Sequence, residues 1–205
     1  MGDFDVPSPI DFHDPAQAKS WEQNTIVRRP WRPEFFQAFA SELNSRFSQP
    51  FSVLELGSGP GHLAQQILSA CQVARYCALD FSDAMHALAC ERLGPFAAKV
   101  EFVIRDFRSA EWSEGLGRFD AVVTMQAAHE IRHKRHLPKL LTQIRAVMVP
   151  DGILLYCDHY AEGGENSDLM LNRDDQPLVL ERAGFTDVRL LLDKGGMALY
   201  AAKPG

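Results

Sequence analysis

The chain has 205 residues, which suits one domain with at most a short appendage, and its 46% hydrophobic and 23% charged residues support a sizeable core. A formal charge of −6 argues against a domain that neutralises phosphates along a duplex, and no run approaches the roughly 18 apolar residues that span a bilayer. Neither nucleic acid nor a membrane is therefore an expected partner.

The acidic start, Met1-Gly2-Asp3-Phe4-Asp5, lacks the basic residues and apolar stretch of a secretory signal. Cys71, Cys77, Cys90 and Cys157 form no CxxC pair and lie in apolar segments, so buried free thiols in a reducing cytoplasm are expected rather than a disulfide frame. Residues 1–33 read as a separate N-terminal segment, proline-rich and weakly periodic, ahead of a domain at 34–205. At this boundary Pro33 suits a first helical turn, and Phe35, Phe36, Phe39 and Leu43 fall on one helical stripe.

From residue 51 short apolar runs alternate with amphipathic stretches. Strands are expected at 51–56, 76–80, 100–105, 119–124, 152–158, 188–192 and 197–202, and helices at 62–70, 84–93, 137–148 and 176–183. Several runs are continuously apolar, as strands covered on both faces should be. Only Asp193-Lys194-Gly195-Gly196 separates the last two, too short for a crossover helix, so that pair is antiparallel. The expected fold is α/β: a Rossmann-like, doubly wound, seven-stranded sheet in a three-layer αβα arrangement, mostly parallel with an antiparallel C-terminal strand.

The most informative segment is Leu54-Glu55-Leu56-Gly57-Ser58-Gly59-Pro60-Gly61-His62, where a strand runs through three glycines into a helix. Glycine permits a sharp turn and close approach to a ligand, and the free amides of the next helix face a polar or anionic group. A ligand-free strand-to-helix turn is the plain alternative. The spacing is GxGxG, not the GxGxxG that a nicotinamide dehydrogenase requires. Asp80 ends the next strand 23 residues after Gly57, close to the roughly 20 expected of a carboxylate that binds ribose hydroxyls. Asp80 as a helix cap is the competing role, and Ser82 or Asp83 suits that better.

With Leu79-Asp80-Phe81-Ser82, Arg105-Asp106-Phe107, Phe119-Asp120-Ala121-Val122-Val123 and Val149-Pro150-Asp151-Gly152, the chain resembles the class I S-adenosylmethionine-dependent methyltransferases over roughly residues 34–203. The resemblance implies S-adenosylmethionine as cofactor. It implies that Glu55 orders the glycine loop near the cofactor's amino group, and that Gly57, Ser58, Gly59 and Gly61 pass under its methionine part. Asp80 would then hold the ribose, Phe81 and Phe107 would flank the adenine, and Asp106 would accept from the adenine amino group. Met125 and Gln126 would lie near the sulfonium. Asp106 has a simpler role open to it as a strand-end turn residue.

Four of the seven histidines stand at 129, 133, 136 and 159. His129-Glu130-Ile131-Arg132-His133 also spells HExxH, but it follows a strand at once and is crowded by basic residues, so a zinc hydrolase is only a remote alternative and no metal is expected. In a parallel sheet the loops after strands four and five open at the ligand edge, which gathers His129, Glu130, His133, His159 and Tyr160. For methyl transfer to an alcohol, phenol or protonated amine a histidine of near-neutral pKa is the efficient base; the expected order is His129 first, then His133 or His159, with Glu130 orienting one of them, whereas a neutral amine or thiolate needs no base and these residues then merely bind. Each of these is otherwise an exposed loop residue or a cap, and His136 is expected merely to start a helix. Trp21, Arg28, Arg29, Trp31 and Arg32 are lid candidates, aromatics to exclude water and arginines to clamp a carboxylate or phosphate; a basic surface strip anchored by tryptophans fits them equally well. The polar stretch 162–168 is expected to gate the pocket. The expected activity is methyl transfer to an O, N or S atom of a small molecule, by a monomer or homodimer. A protein that binds the cofactor without catalysis is the alternative.

Overall fold

The computed structural model describes residues 4–161 and 166–205, so the expected gate at 162–168 falls largely outside the described residues. The elements run α1 (Pro15–Arg28), α2 (Arg32–Arg46), β1 (Phe51–Leu56), α3 (His62–Ala70), β2 (Val73–Asp80), α4 (Asp83–Leu93), β3 (Val100–Ile104), β4 (Phe119–Met125), α5 (Leu137–Ala146), β5 (Met148–His159), α6 (Asp175–Arg182), β6 (Phe185–Lys194) and β7 (Met197–Pro204). They build one seven-stranded sheet in the order β3-β2-β1-β4-β5-β7-β6. The pairs from β3 through β5 are parallel, and β7 runs antiparallel to both its neighbours.

The alternation of side chains along each central strand fills two cores, one on each face. On β1, Leu54 and Leu56 pack with Leu140, Leu141, Ile144 and Leu180 of α5 and α6. Phe51 and Val53 of the same strand pack with Phe35, Phe39 and Leu43 of α2 and Ile67 of α3. Burial on both faces explains the unbroken apolar runs. Among the described residues no helix is long and apolar enough to cross a membrane.

One helix was not legible in the sequence. Residues 15–28, read as weakly periodic, form α1, capped by Asp14, whose Oδ1 accepts from the amides of Ala16 (2.8 Å) and Gln17 (3.3 Å). Its buried stripe is Ala18, Glu22 and Thr25, small or polar residues that leave no hydrophobic signature. The boundary expected at 33/34 falls inside the first turn of α2, which starts at Arg32. The ends of β2, β5 and β6 extend past the expected strands into residues such as Arg75, Asp151 and Asp187, whose polarity hides pairing.

Candidate active site

The carboxyl ends of β1, β2, β4 and β5 open onto one cleft of about 950 Å³ including its mouth. Its floor is the turn after β1. Gly57 has φ +69°, and a Cβ there would strike the Cβ of Ala127, so the turn can come this close to the loop after β4 only without a side chain. The amides of Gly57 and Ser58 both donate to the carbonyl of Leu79, at 2.8 and 3.0 Å, which stitches the turn to the end of β2. Asp80 finishes this joint: its Oδ2 accepts from Gly59 N at 2.8 Å and its Oδ1 from Ser82 N at 3.0 Å. Ser82, not Asp80, caps α4, its Oγ accepting from Met85 N at 3.0 Å. Asp80 is buried, and burial raises its pKa against the pull of those amides.

Glu55 lies beneath the turn, buried, its Oε2 accepting from Tyr76 Oη at 2.7 Å. Burial pushes its pKa up to about 8; the tyrosine hydrogen bond opposes this and nearby Asp80 adds to it. The cleft floor thus carries two buried acids that, among the described residues, have no cationic partner. Ser58 Oγ sits 3.3 Å from His86 Nε2 behind the turn.

The opposite wall is built by the loop after β4 and the end of β5. Gln126 adopts φ +55°, a left-handed conformation that a glutamine disfavours, and this carries its side chain toward His159. Gln126 Nε2 lies 2.7 Å from His159 Nε2, and Gln126 Oε1 is buried without a hydrogen-bond partner. Beside them, His129 is held from both sides. Its Nδ1 donates to Asp158 Oδ1 at 2.7 Å, its backbone N to Asp158 Oδ2 at 2.9 Å, and its Nε2 faces Glu130 Oε1 at 3.4 Å. Burial alone would lower the His129 pKa, but the Asp158 and Glu130 carboxylates overcome it and raise the value to about 10. Burial of Asp158 is likewise overcome by His129, which keeps that carboxyl below its usual range. His159 goes the other way: burial, reinforced by the charges of His129 and Arg29, outweighs the pull of Asp158 and lowers its pKa to about 4. Two adjacent imidazoles, 5.8 Å apart between ring centres, are thus pushed in opposite directions, His129 toward the charged form and His159 toward the neutral one.

The expected residues that line this cleft are Glu55, Gly57, Ser58, Gly59, Asp80, Phe81, Phe107, Met125, Gln126, His129, Glu130, His159 and, from the N-terminal segment, Trp21, Arg29 and Arg32. Others stand apart from it. Gly61 caps α3, where an added Cβ would press on Ala89 at 3.0 Å. Asp106 is gripped by Arg108, with Nε 2.9 Å and Nη2 2.6 Å from Oδ2, and lines a smaller recess that shares Phe81 and Phe107 with the main cleft. His133 is buried outside the cleft, where its Nδ1 accepts from Arg135 N at 3.1 Å. The backbone breaks between the HExxH histidines, since Arg132 has φ +67°, so they do not share a helical face. Tyr160 donates to Asp193 Oδ1 at 3.0 Å and Trp31 packs against Gly195, neither at the cleft, and Arg28 is exposed.

Three lining residues, Phe12, Met85 and Met170, carried no signal in the sequence, because packing brings them to the cleft, and His62 reaches it simply by following the glycine turn. Asp158 is the more instructive omission. It ends a buried strand at the ligand edge, and a carboxylate there needs a partner; that argument was available from the sequence and points to the neighbouring histidines.

Residues 53–152 match the family described as Methyltransferase domain. The chain is 34% identical over 170 residues to the protein-lysine N-methyltransferase efm4 of Schizosaccharomyces pombe, covering 74% of this chain and 68% of that protein. It is 27% identical over 158 residues to the non-reducing polyketide synthase prhL of Penicillium brasilianum; the match takes in 72% of this chain but only 6% of the synthase. Its fold is similar to that in the solved DhpI–SAH complex, with TM-score 0.73, 20% identity and 93% of each chain covered. The cleft floor fits that family's cofactor: two buried carboxyl groups, neither paired with a cation among the described residues, and a glycine turn open to the cavity suit a nucleoside with ribose hydroxyls and an amino-acid tail. The chain belongs to the class I S-adenosylmethionine-dependent methyltransferases.

Proposed function

We propose that the protein transfers a methyl group from S-adenosylmethionine to an oxygen, nitrogen or sulfur atom of a small molecule, with His159 receiving the acceptor's proton. One observation carries this reading: on the cleft wall opposite the glycine turn two histidines stand side by side, His129 held between two carboxylates and His159 touching only the Gln126 amide at its Nε2. Bound there, the cofactor supplies an activated methyl group, so the chain's task is to position, desolvate and move a proton. Asp80 and Glu55, the latter mostly protonated below about pH 8, hold the ligand from the floor by hydrogen bonds. Phe12 and Trp21, in edge contact at 5.4 Å between ring centres, cover the cleft and keep water from the reacting atoms.

The contacts of the two rings, with their opposite pKa shifts, support one destination for the proton. His129 carries a proton at neutral pH and both its nitrogens face carboxylates, so it serves as a fixed positive charge rather than a base. His159, lowered to about 4, is neutral, and its Nε2 accepts from Gln126 Nε2 at 2.7 Å; the acceptor's O–H, N–H or S–H takes the place of that amide to reach the lone pair. The sequence puts His129 first as base; we place His159 there instead, because carboxylates face both ring nitrogens of His129. His133, outside the cleft, has no place in the chemistry. One cleft of about 950 Å³ has to take cofactor and acceptor together, which favours a compact acceptor.

The test is methyl transfer from labelled S-adenosylmethionine to a panel of phenols, acids, amines and thiols. His159→Ala is expected to lower turnover about 10²-fold or more with S-adenosylhomocysteine affinity kept. Unchanged turnover in that variant removes His159 as base. Labelling of proteins alone, with none of the small acceptors, overturns the small-molecule reading.

A further inference from the structure

Two arginines face the cleft without an acid to answer them. Arg29 and Arg32 both line it, at the junction of α1 and α2, and Arg32 is only 8% exposed. The Arg32 Nε is buried with no hydrogen-bond partner, and among the described residues neither arginine makes an ion pair with a carboxylate. Glu22 of α1 is taken by other partners: it pairs with Arg92, and its Oε1 lies 3.5 Å from His62 Nε2. The guanidinium of Arg32 rests on the ring of Phe36, 5.3 Å from its centre, which fixes it without neutralising it. Burial lowers the pKa of both arginines, Arg32 to about 10, and the charge of Arg29 adds to the shift on Arg32. Two like charges held together and half-dehydrated are unfavourable unless an anion joins them.

We infer that Arg29 and Arg32 form an oxyanion site and that the methyl acceptor is a small organic acid whose carboxylate or phosphate they bind beside His159. This rests on the proposed methyl transfer and names its substrate class. The site's place supports it. Arg29 is close enough to His159 for its charge to be felt there, so an acid seated on Arg29 puts the rest of its skeleton next to the base. Guanidinium forks accept planar carboxylates through paired N–H donors, which also fixes the acceptor's direction.

The cofactor's own carboxylate is the other source of such an anion, and the experiment separates the two. Full-length protein is first saturated with S-adenosylhomocysteine, then titrated with benzoate, inorganic phosphate and the neutral isostere benzamide by calorimetry. Benzoate or phosphate is expected to bind the loaded protein and benzamide not to bind. Arg29→Gln is expected to weaken that anion about tenfold while S-adenosylhomocysteine affinity changes less than about twofold. Affinity for S-adenosylhomocysteine and for 5′-methylthioadenosine, which lacks the amino-acid tail, is measured in wild type, Arg29→Gln and Arg32→Gln. If both variants lose the first ligand and keep the second, and neither anion binds the loaded protein, the arginines serve the cofactor and the proposal is overturned. If the loaded wild type binds neither benzoate nor phosphate, it is overturned alone, with methyl transfer left standing. If wild type fails to bind S-adenosylhomocysteine at all, the underlying methyltransferase reading falls with it.

Discussion

Replacing Asp158 by Asn isolates the interaction that sets the two histidines apart. The Asp158 carboxylate and the His129 ring touch at 2.7 Å. With charge centres about 4 Å apart and an effective dielectric of about 20, their attraction is about 4 kcal/mol, or roughly 3 pKa units. The His129 pKa should fall from about 10 to roughly 7 in Asp158→Asn, with Glu130 still holding it above its ordinary value. The assay is an NMR titration of the imidazole resonances in both proteins. The same change appears in stability. His129 has a folded pKa above its unfolded one, so the pair's contribution is whole below about pH 6.5 and is lost as pH rises through about 10. Asp158 is depressed below 3.8, so its side of the contribution is present above that value and lost in stronger acid. The stability gap between wild type and variant should therefore be widest from about pH 4 to 6.5 and close toward pH 10. A wild-type His129 that titrates near 6.5, or a variant shifted by less than about one unit, refutes this account and returns His129 to contention as base.

Two further outcomes follow from the cleft floor. Glu55 has a folded pKa raised to about 8, so its burial lowers stability progressively as pH climbs from about 4.5 toward 8. Glu55→Gln keeps the acceptor for Tyr76 Oη without the charge; above pH 8 its melting temperature should exceed wild type by roughly 3 °C or more, while S-adenosylhomocysteine binds at least about tenfold more weakly. Calorimetry with equal melting points at pH 8 contradicts the first half, and undiminished affinity the second. Gly57→Ala places a methyl group against Ala127 at a φ of +69°, and should reduce stability in urea by roughly 1–3 kcal/mol. A variant as stable as wild type means the turn does not approach Ala127 as described.

The floor of the site is legible in the sequence because it is local. A strand that ends in Gly57, Gly59 and Gly61 and a second that ends in Asp80 state their own geometry: positive φ where no other residue fits easily, and a carboxylate where amides need an acceptor. The layered sheet is legible for a similar reason, since continuous apolar runs can be buried only between two layers. Asp158 could have been tied to the histidines by the same logic. Tertiary structure alone decided the rest. Helix α1 buries Ala18, Glu22 and Thr25, which no hydrophobic period announces, and only packing brings Phe12, Arg29 and Arg32 to the cleft. The protonation states are the sharpest case. His129 and His159 are the same residue type at the same sheet edge, and what divides them is which ring nitrogen faces a carboxylate and which is merely dehydrated. Electrostatic energy depends on separation in space and on burial, and the order of residues along the chain records neither.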